Sequence, residues 1–223
     1  MESNMNPIET SVSQSSAISV NKVLRNTYAL LALSFVVSAA GASVSMAMAL
    51  PPMTGLICML VGFGMLFVVN KTADSAMGLV SMFAFALIMG VGLGPMLSRY
   101  LALPNGSELV FQALGTTAIV FFALSAYALG SKKDFSNMAG FLMTGLIIAI
   151  VAGIANIFLQ IPALHLAISS AVVLIMSGFI LMDTSRIVNG GETNYIRAAL
   201  AMYLNLYYLF INLLALLGFA SDD

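Results

Sequence analysis

Long apolar runs separated by short polar stretches make up most of the sequence. A helix needs about 20 apolar residues to cross the roughly 30 Å hydrocarbon core of a bilayer. Seven segments of this chain have the length and the composition to do so. The pattern therefore predicts an all-α membrane protein, a bundle of seven transmembrane helices over Tyr28–Leu50, Met53–Val69, Ala76–Leu97, Leu109–Leu129, Met138–Ile161, Ala163–Met182 and Ala198–Phe219.

Two of the apolar runs are twice the length of one span. Residues 26–70 and 135–182 contain no charged side chain, and each run has proline near its middle: Pro51 and Pro52 in the first, Pro162 in the second. Proline lacks a backbone donor and biases the residue before it away from helix. We therefore predict that each run is two helices joined by a tight hairpin.

The basic residues predict the orientation of the chain. With seven spans, seven of the eight lysines and arginines fall on one side, and Arg99 falls alone on the other. Cytoplasmic loops are enriched in lysine and arginine. We therefore expect the N-terminus to be cytoplasmic and the C-terminus to lie on the outer side of the membrane. The seven residues are Lys22, Arg25, Lys71, Lys132, Lys133, Arg186 and Arg197.

Composition changes the picture mainly by exclusion. Hydrophobic residues make up 61% of the chain and charged residues only 8%, which is too apolar for a soluble fold. A net charge of −1 argues against nucleic-acid binding. The single cysteine, Cys58, permits no intrachain disulfide, and no metalloprotease, serine-hydrolase or phosphate-loop motif is found. We expect no catalytic residues, metal or cofactor.

Residues 1–20 are polar and serine-rich, and we expect a flexible cytoplasmic tail there, before a transmembrane domain over 21–223.

Polar groups inside the spans are the candidates for function, because each is costly in hydrocarbon unless it is paired or hydrated. Asp183 ends the sixth apolar run, and the helix can continue from it to Val188. A carboxylate about one and a half turns inside a helix end could titrate near neutral pH and hold or release a cation. Alternatively, Asp183 forms an ion pair with Arg186, three residues further on.

The seventh span carries Asn205, Tyr208 and Asn212 on one helical face. These side chains either form hydrogen bonds between helices or line a polar path for permeation or pH sensing. In the third span, Gly90, Gly92 and Gly94 follow one another at alternate positions inside an apolar run. No strand precedes them, so they predict close helix packing and not a dinucleotide site.

Four stretches together resemble the Bax inhibitor family of seven-span proteins, also called the transmembrane Bax-inhibitor-motif family. They are NKVLRNTY at 21–28, ANIFLQIPALHLAIS at 155–169, GGETNYIRA at 190–198 and LLALLGFAS at 213–221. The resemblance is greatest to bacterial members that bind and restrain FtsH, an ATP-dependent membrane protease. It implies a non-enzymatic modulator in the bacterial inner membrane, with its C-terminus in the periplasm. Its partners would be the FtsH-type protease and the lipid bilayer, and the protease could grip its N-terminal tail.

Other members of this family are pH-sensitive calcium leak channels gated by an aspartate pair in spans six and seven. The resemblance places the first aspartate at Asp183 and the second position at Asn205, which cannot titrate. An arginine expected in the second span is also missing, since residues 53–70 contain no charge. These departures favour the modulator, with the calcium leak, and Ca²⁺ as its ion, as the alternative function.

Overall fold

The computed structural model describes the backbone of residues 7–131 and 133–220, and the side chains of residues 20–131 and 133–220. The described residues form α-helices joined by short turns, with one 3-10 turn at Ser136–Met138 and no strand. The helices are α1 Pro7–Ala47, α2 Met53–Thr72, α3 Met77–Leu101, α4 Gly106–Ser131, α5 Ala139–Leu159, α6 Pro162–Val188 and α7 Tyr195–Ala220.

All seven predicted membrane-spanning helices are confirmed, since seven helices are long and apolar enough to cross a bilayer. Several continue past the apolar run, because polar residues at the ends of a run can remain helical. In α1 the apolar part of membrane length is Val20–Ala47. The predicted N-terminal tail is described only in part: residues 1–6 lie outside the described residues, and residues 7–19 are described as helical backbone without side chains. The tail therefore stays a prediction.

Both proline hairpins are confirmed. The first separates the end of α1 at Ala47 from the start of α2 at Met53. In the second, Gln160 adopts a left-handed conformation with φ 53°, and Ile161 is extended with ψ 111°. Pro162 is then the first residue of α6, a position where its missing N–H is not needed. The proline therefore begins the sixth helix as it ends the turn.

The bundle is arranged around α7, which packs against α1, α2, α3, α4 and α6. Its side chains fill the core: Met202, Tyr203, Leu209 and Leu214 are fully buried. The helix α5, in contrast, contacts only α6 and the 3-10 turn within the described part of the chain. The core therefore lies on α7, and α5 lies at the periphery.

The glycines of α3 allow close helix packing, as predicted. A methyl group at Gly90 would overlap the Ser38 backbone of α1, and one at Gly94 would overlap the Ser45 side chain. At Gly92 it would overlap Cβ of Cys58 in α2. The run of glycines thus lets α3 approach a neighbour on each side, which is the usual role of small residues between membrane helices.

Candidate functional site

The two residues that the sequence analysis aligned with a functional pair are in contact. Asp183 lies five residues before the end of α6, about 7.5 Å along the helix axis. Its Oδ2 accepts a hydrogen bond of 2.8 Å from Nδ2 of Asn205 in α7. Both side chains are buried, with exposed fractions of 9% and 7%. The geometry is that of a carboxylate held in the bundle by one amide donor.

Arg186 is not part of this pair. It is exposed, and its guanidinium is not within ion-pair distance of Asp183. In the described part of the chain the one ion pair joins Arg197 to Asp74. The alternative in which Asp183 pairs with Arg186 is therefore not the arrangement found, and the amide of Asn205 takes the place of the cation.

Tyr208 and Asn212 belong to a separate set of contacts. Nδ2 of Asn212 donates to the backbone carbonyl of Tyr208 at 2.8 Å, so this bond stays within α7. The Tyr208 ring packs edge-on against Tyr207, with ring centroids 5.5 Å apart. No hydrogen bond joins either residue to Asp183 or Asn205 among the described residues. Of the predicted polar face, only Asn205 makes a bond between helices.

Sequence reasoning missed the two residues that follow Asp183. The Thr184 hydroxyl lies 3.4 Å from that of Ser125 in α4. The Ser185 hydroxyl donates to the Lys133 carbonyl at 2.8 Å and accepts from the Phe135 N–H at 3.1 Å. Three consecutive buried side chains thus bind α7, α4 and the α4–α5 loop. The signal in the sequence was three consecutive polar residues, Asp-Thr-Ser, at the end of an apolar run.

The α4–α5 loop has its own local order. Oδ1 of Asp134 accepts a hydrogen bond of 2.8 Å from the Ser136 backbone N–H, where the 3-10 turn begins. This bond stabilises the ionised carboxylate and holds the pKa of Asp134 below its usual range. Asp134 is exposed, so it contributes turn geometry and not a buried charge.

A second polar layer lies on the opposite side of α7. The hydroxyls of Ser38 and Tyr203 are 2.6 Å apart, and Ser38 also donates to the Ala86 carbonyl at 2.7 Å. Tyr207 donates to the Met89 carbonyl at 3.2 Å. These bonds connect α7 to α1 and α3, so α7 is held by polar contacts on both sides.

The start of α7 is fixed by Asn194. Its Oδ1 accepts from the N–H groups of Ile196 and Arg197, which caps the helix. Its Nδ2 donates to the Ala73 carbonyl at 3.0 Å and to Asp74 at 2.8 Å. Arg197 completes the corner through its ion pair with Asp74. The α2–α3 turn and the α6–α7 loop therefore lie together at one end of the bundle.

The Asp183–Asn205 contact can hold a charge but cannot share a proton. Two neighbouring carboxylates titrate as a coupled pair, whereas an asparagine has no proton to exchange in this range. Calcium requires six to eight oxygen ligands, and the pair offers only the free oxygens of one carboxylate and one amide. No group of three or more His, Cys, Asp or Glu side chains that could hold a metal is found among the described residues.

Comparison with known proteins places the chain in a family. Residues 20–222 match the family model described as inhibitor of apoptosis-promoting Bax1. A protein of Escherichia coli K12 named modulator of FtsH protease YccA is 49% identical over 217 residues, which cover 97% of this chain and 98% of that protein.

Two further relatives bear membrane-protein names. In Escherichia coli O6:H1, a protein named inner membrane protein YccA has the same identity and coverage. In Vibrio cholerae serotype O1, an uncharacterized membrane protein is 51% identical over 207 residues, covering 92% of this chain and 93% of that protein. None of these three names is that of an enzyme. The family match over nearly the whole chain, with relatives at about half identity, shows that this chain belongs to the Bax inhibitor family of membrane proteins.

Proposed function

We propose that this protein is a non-enzymatic inner-membrane protein that binds an FtsH-type ATP-dependent protease and restrains its action on other membrane proteins. The observation that carries the proposal is the 49% identity, along 97% of the chain, to a protein named as a modulator of that protease. The family model likewise matches residues 20–222, from the first membrane-spanning helix to the last.

The proposal includes the orientation of the chain, with the N-terminus cytoplasmic and the C-terminus periplasmic. Hydrogen bonds support a common end for the basic loops: Asn194 binds the α2–α3 turn, and Ser185 binds the α4–α5 loop. Lys71, Lys133 and Arg197 lie in or beside these segments. The excess of basic residues at one end is the feature that cytoplasmic loops share.

Co-purification tests the binding step. The protein and an affinity-tagged FtsH are expressed together and extracted in mild detergent, and an unrelated seven-helix membrane protein at equal abundance serves as control. We expect the protein to be retained with the protease well above the control. A variant lacking residues 2–19 separates the roles of tail and bundle, because we expect it to be retained but to resist degradation. Recovery no greater than that of the control would contradict the proposal.

A second candidate function is a pH-sensitive calcium leak. The observation that favours it is the buried carboxylate of Asp183, which is placed between α6 and α7 in a membrane-spanning bundle. Against it stands the partner of that carboxylate, since Asn205 cannot take or release a proton. The two candidate functions assign different roles to the contact between Asp183 and Asn205. A substitution at this contact therefore distinguishes them.

A further inference from the structure

The outer helix α5 is held by fewer neighbours than the other helices. Within the described chain it packs against α6 and the 3-10 turn alone, whereas α2, the other helix with little buried surface, contacts both α3 and α7. The remaining sides of α5 are covered by exposed apolar residues, among them Phe141, Ile147 and Phe158. No second helix therefore prevents α5 from moving outward.

The contact between α5 and α6 is also incomplete. Close approach occurs at Gly178, where a methyl group would overlap the Leu142 side chain. Beside it lies an apolar groove of about 520 Å³ between the two helices. Lining residues such as Ala149 and Ala171 are small. In a bilayer, apolar surface gains little by leaving lipid, so this contact is weaker than the same area would be in water.

A clasp holds the N-terminal end of α5. Ser185 bonds to the Lys133 carbonyl and the Phe135 N–H, and Asn189 donates to the same Lys133 carbonyl at 3.3 Å. These hydrogen bonds join the loop before α5 to the C-terminal end of α6. We call Ser185 and Asn189, with the Lys133–Phe135 backbone, the clasp.

The other end of α5 is joined to α6 by a short non-helical link. Gln160 occupies the left-handed region, and Ile161 is extended before Pro162. The hydrogen bonds here are local: Asn156 accepts from the N–H of Gln160 through its carbonyl, at 2.8 Å, and from the N–H of Ile161 through its side chain, at 3.1 Å. A short non-helical link without bonds to distant parts of the chain can absorb a change of backbone angles.

The clasp residues lie on a turn of α6 that cannot easily follow α5. Asp183 fixes this turn to α7 through Asn205, and Thr184 lies against Ser125 of α4. Both contacts are buried. When the clasp opens, α6 is thus retained by two other helices, and the part that is free to move is α5.

We propose that α5 is a hinged flap, which swings away from α6 about Gln160 and Ile161 when the clasp opens and uncovers the α6 surface lined by Ala171, Ile175 and Gly178. The flap is a conformational switch within the membrane. It goes beyond the proposed function and does not depend on it, because the motion follows from the contacts of this chain alone.

Distance measurements between spin labels test the flap in the full chain in lipid nanodiscs. The native Cys58 is replaced by alanine, and labels are placed at the exposed positions Phe141 in α5 and Leu33 in α1. The double variant Ser185→Ala and Asn189→Ala is expected to enlarge the population at longer distances relative to the chain with an intact clasp. The matched control is Thr144→Ala, which removes an α5 hydroxyl bonded only to its own helix. It should leave the distances unchanged.

A cross-link keeps the test decisive if the clasp variant does not fold. In the chain with an intact clasp, Leu142→Cys and Gly178→Cys place two thiols at the closest approach of α5 and α6. The spin labels in this variant are nitroxide-bearing unnatural amino acids that replace Phe141 and Leu33. The labels therefore do not react with the two new thiols. In the reduced state, transient opening of the intact clasp is expected to give a minor population at longer distances. Oxidation links α5 to α6 and is expected to remove this population, and reduction to restore it. Identical distributions in the oxidised and reduced states, or a folded clasp variant with wild-type distances, would overturn the proposal.

Discussion

At the scale of single residues, the contact between Asp183 and Asn205 decides what the core of the bundle can do. A charged group in the membrane interior is costly unless it is paired, and here one amide donor satisfies one carboxylate oxygen. Because asparagine does not titrate in this range, Asp183 is the one side chain of the pair that can gain or lose a proton. The pair therefore acts as a structural link between α6 and α7.

Replacing Asn205 by aspartate should make the contact between α6 and α7 depend on pH. Two carboxylates at this distance share one proton at low pH and repel each other once both are ionised. We expect the wild-type protein in calcium-loaded vesicles to give background flux at pH 6 and pH 8. We expect Asn205→Asp to give greater flux at pH 8 than at pH 6.

The control for this experiment is Asn212→Asp, which adds a carboxylate to the same helix at a residue whose side chain bonds only to α7. It should remain at background at both pH values. A wild-type flux that depends on pH and disappears in Asp183→Asn would contradict the structural role of the pair and support the calcium leak.

The resemblance to the family put Asp183 and Asn205 together, whereas the residues alone singled out each side chain separately and did not predict the surroundings of the pair. Asp183 stood out because a charge inside an apolar run is rare, and Asn205 because an amide there is costly. Thr184 and Ser185 did not, because most hydroxyls in apolar helices bond to their own backbone, as those of Thr117 and Ser177 do here. Only the folded arrangement of α4 and its loop distinguishes the two kinds of hydroxyl.

At the scale of elements, the helices of this bundle are held together by close approach at small residues as much as by apolar area. Burial from water does not drive helix association within lipid, so contacts that bring backbones together carry the stability. Gly94 of α3 lies directly against Ser45 of α1, whereas a side chain at Gly115 of α4 would meet nothing within 4 Å. The two glycines differ only in what faces them.

Leucine should therefore lower the stability at Gly94 but not at Gly115. Gly94→Leu must displace α1 from α3, and overpacking of this kind costs about 1–3 kcal/mol or more. Gly115→Leu adds a better helix former on an open face and should be neutral or slightly stabilising. Thermal unfolding in detergent measures both. Equal midpoints for the two variants would show that the α1–α3 contact does not carry stability.

The positions of the seven helices followed from the sequence, whereas their arrangement did not. Apolar length and the two proline turns predict where each span lies. The most apolar span is that of α5, which is among the least buried, and the least apolar is α7, which is the most buried. In a membrane both lipid-facing and buried helices are apolar, so composition alone could not place α7 at the centre.

At the scale of the whole molecule, α7 makes polar contacts on both sides, and two of the loops that carry basic residues lie at one end with the start of α7. Ser38 and Tyr203 join it to α1, Asn205 joins it to α6, and Asn194 fixes its first turn to the α2–α3 loop. The number of basic residues in each loop can be read from the sequence. The hydrogen bonds could not be predicted from it, because they join residues as far apart as 165 positions.

We propose above all that this bundle restrains a membrane protease. The most direct test of this claim is the rate at which purified FtsH degrades a membrane-protein substrate in vesicles with ATP, with this protein co-reconstituted in increasing amounts. An unrelated seven-helix membrane protein at the same density is the control for crowding. We predict that the degradation rate falls as the amount of this protein rises and is unaffected by the control. A rate that stays the same at every amount, with both proteins inserted in the same vesicles, would contradict the claim.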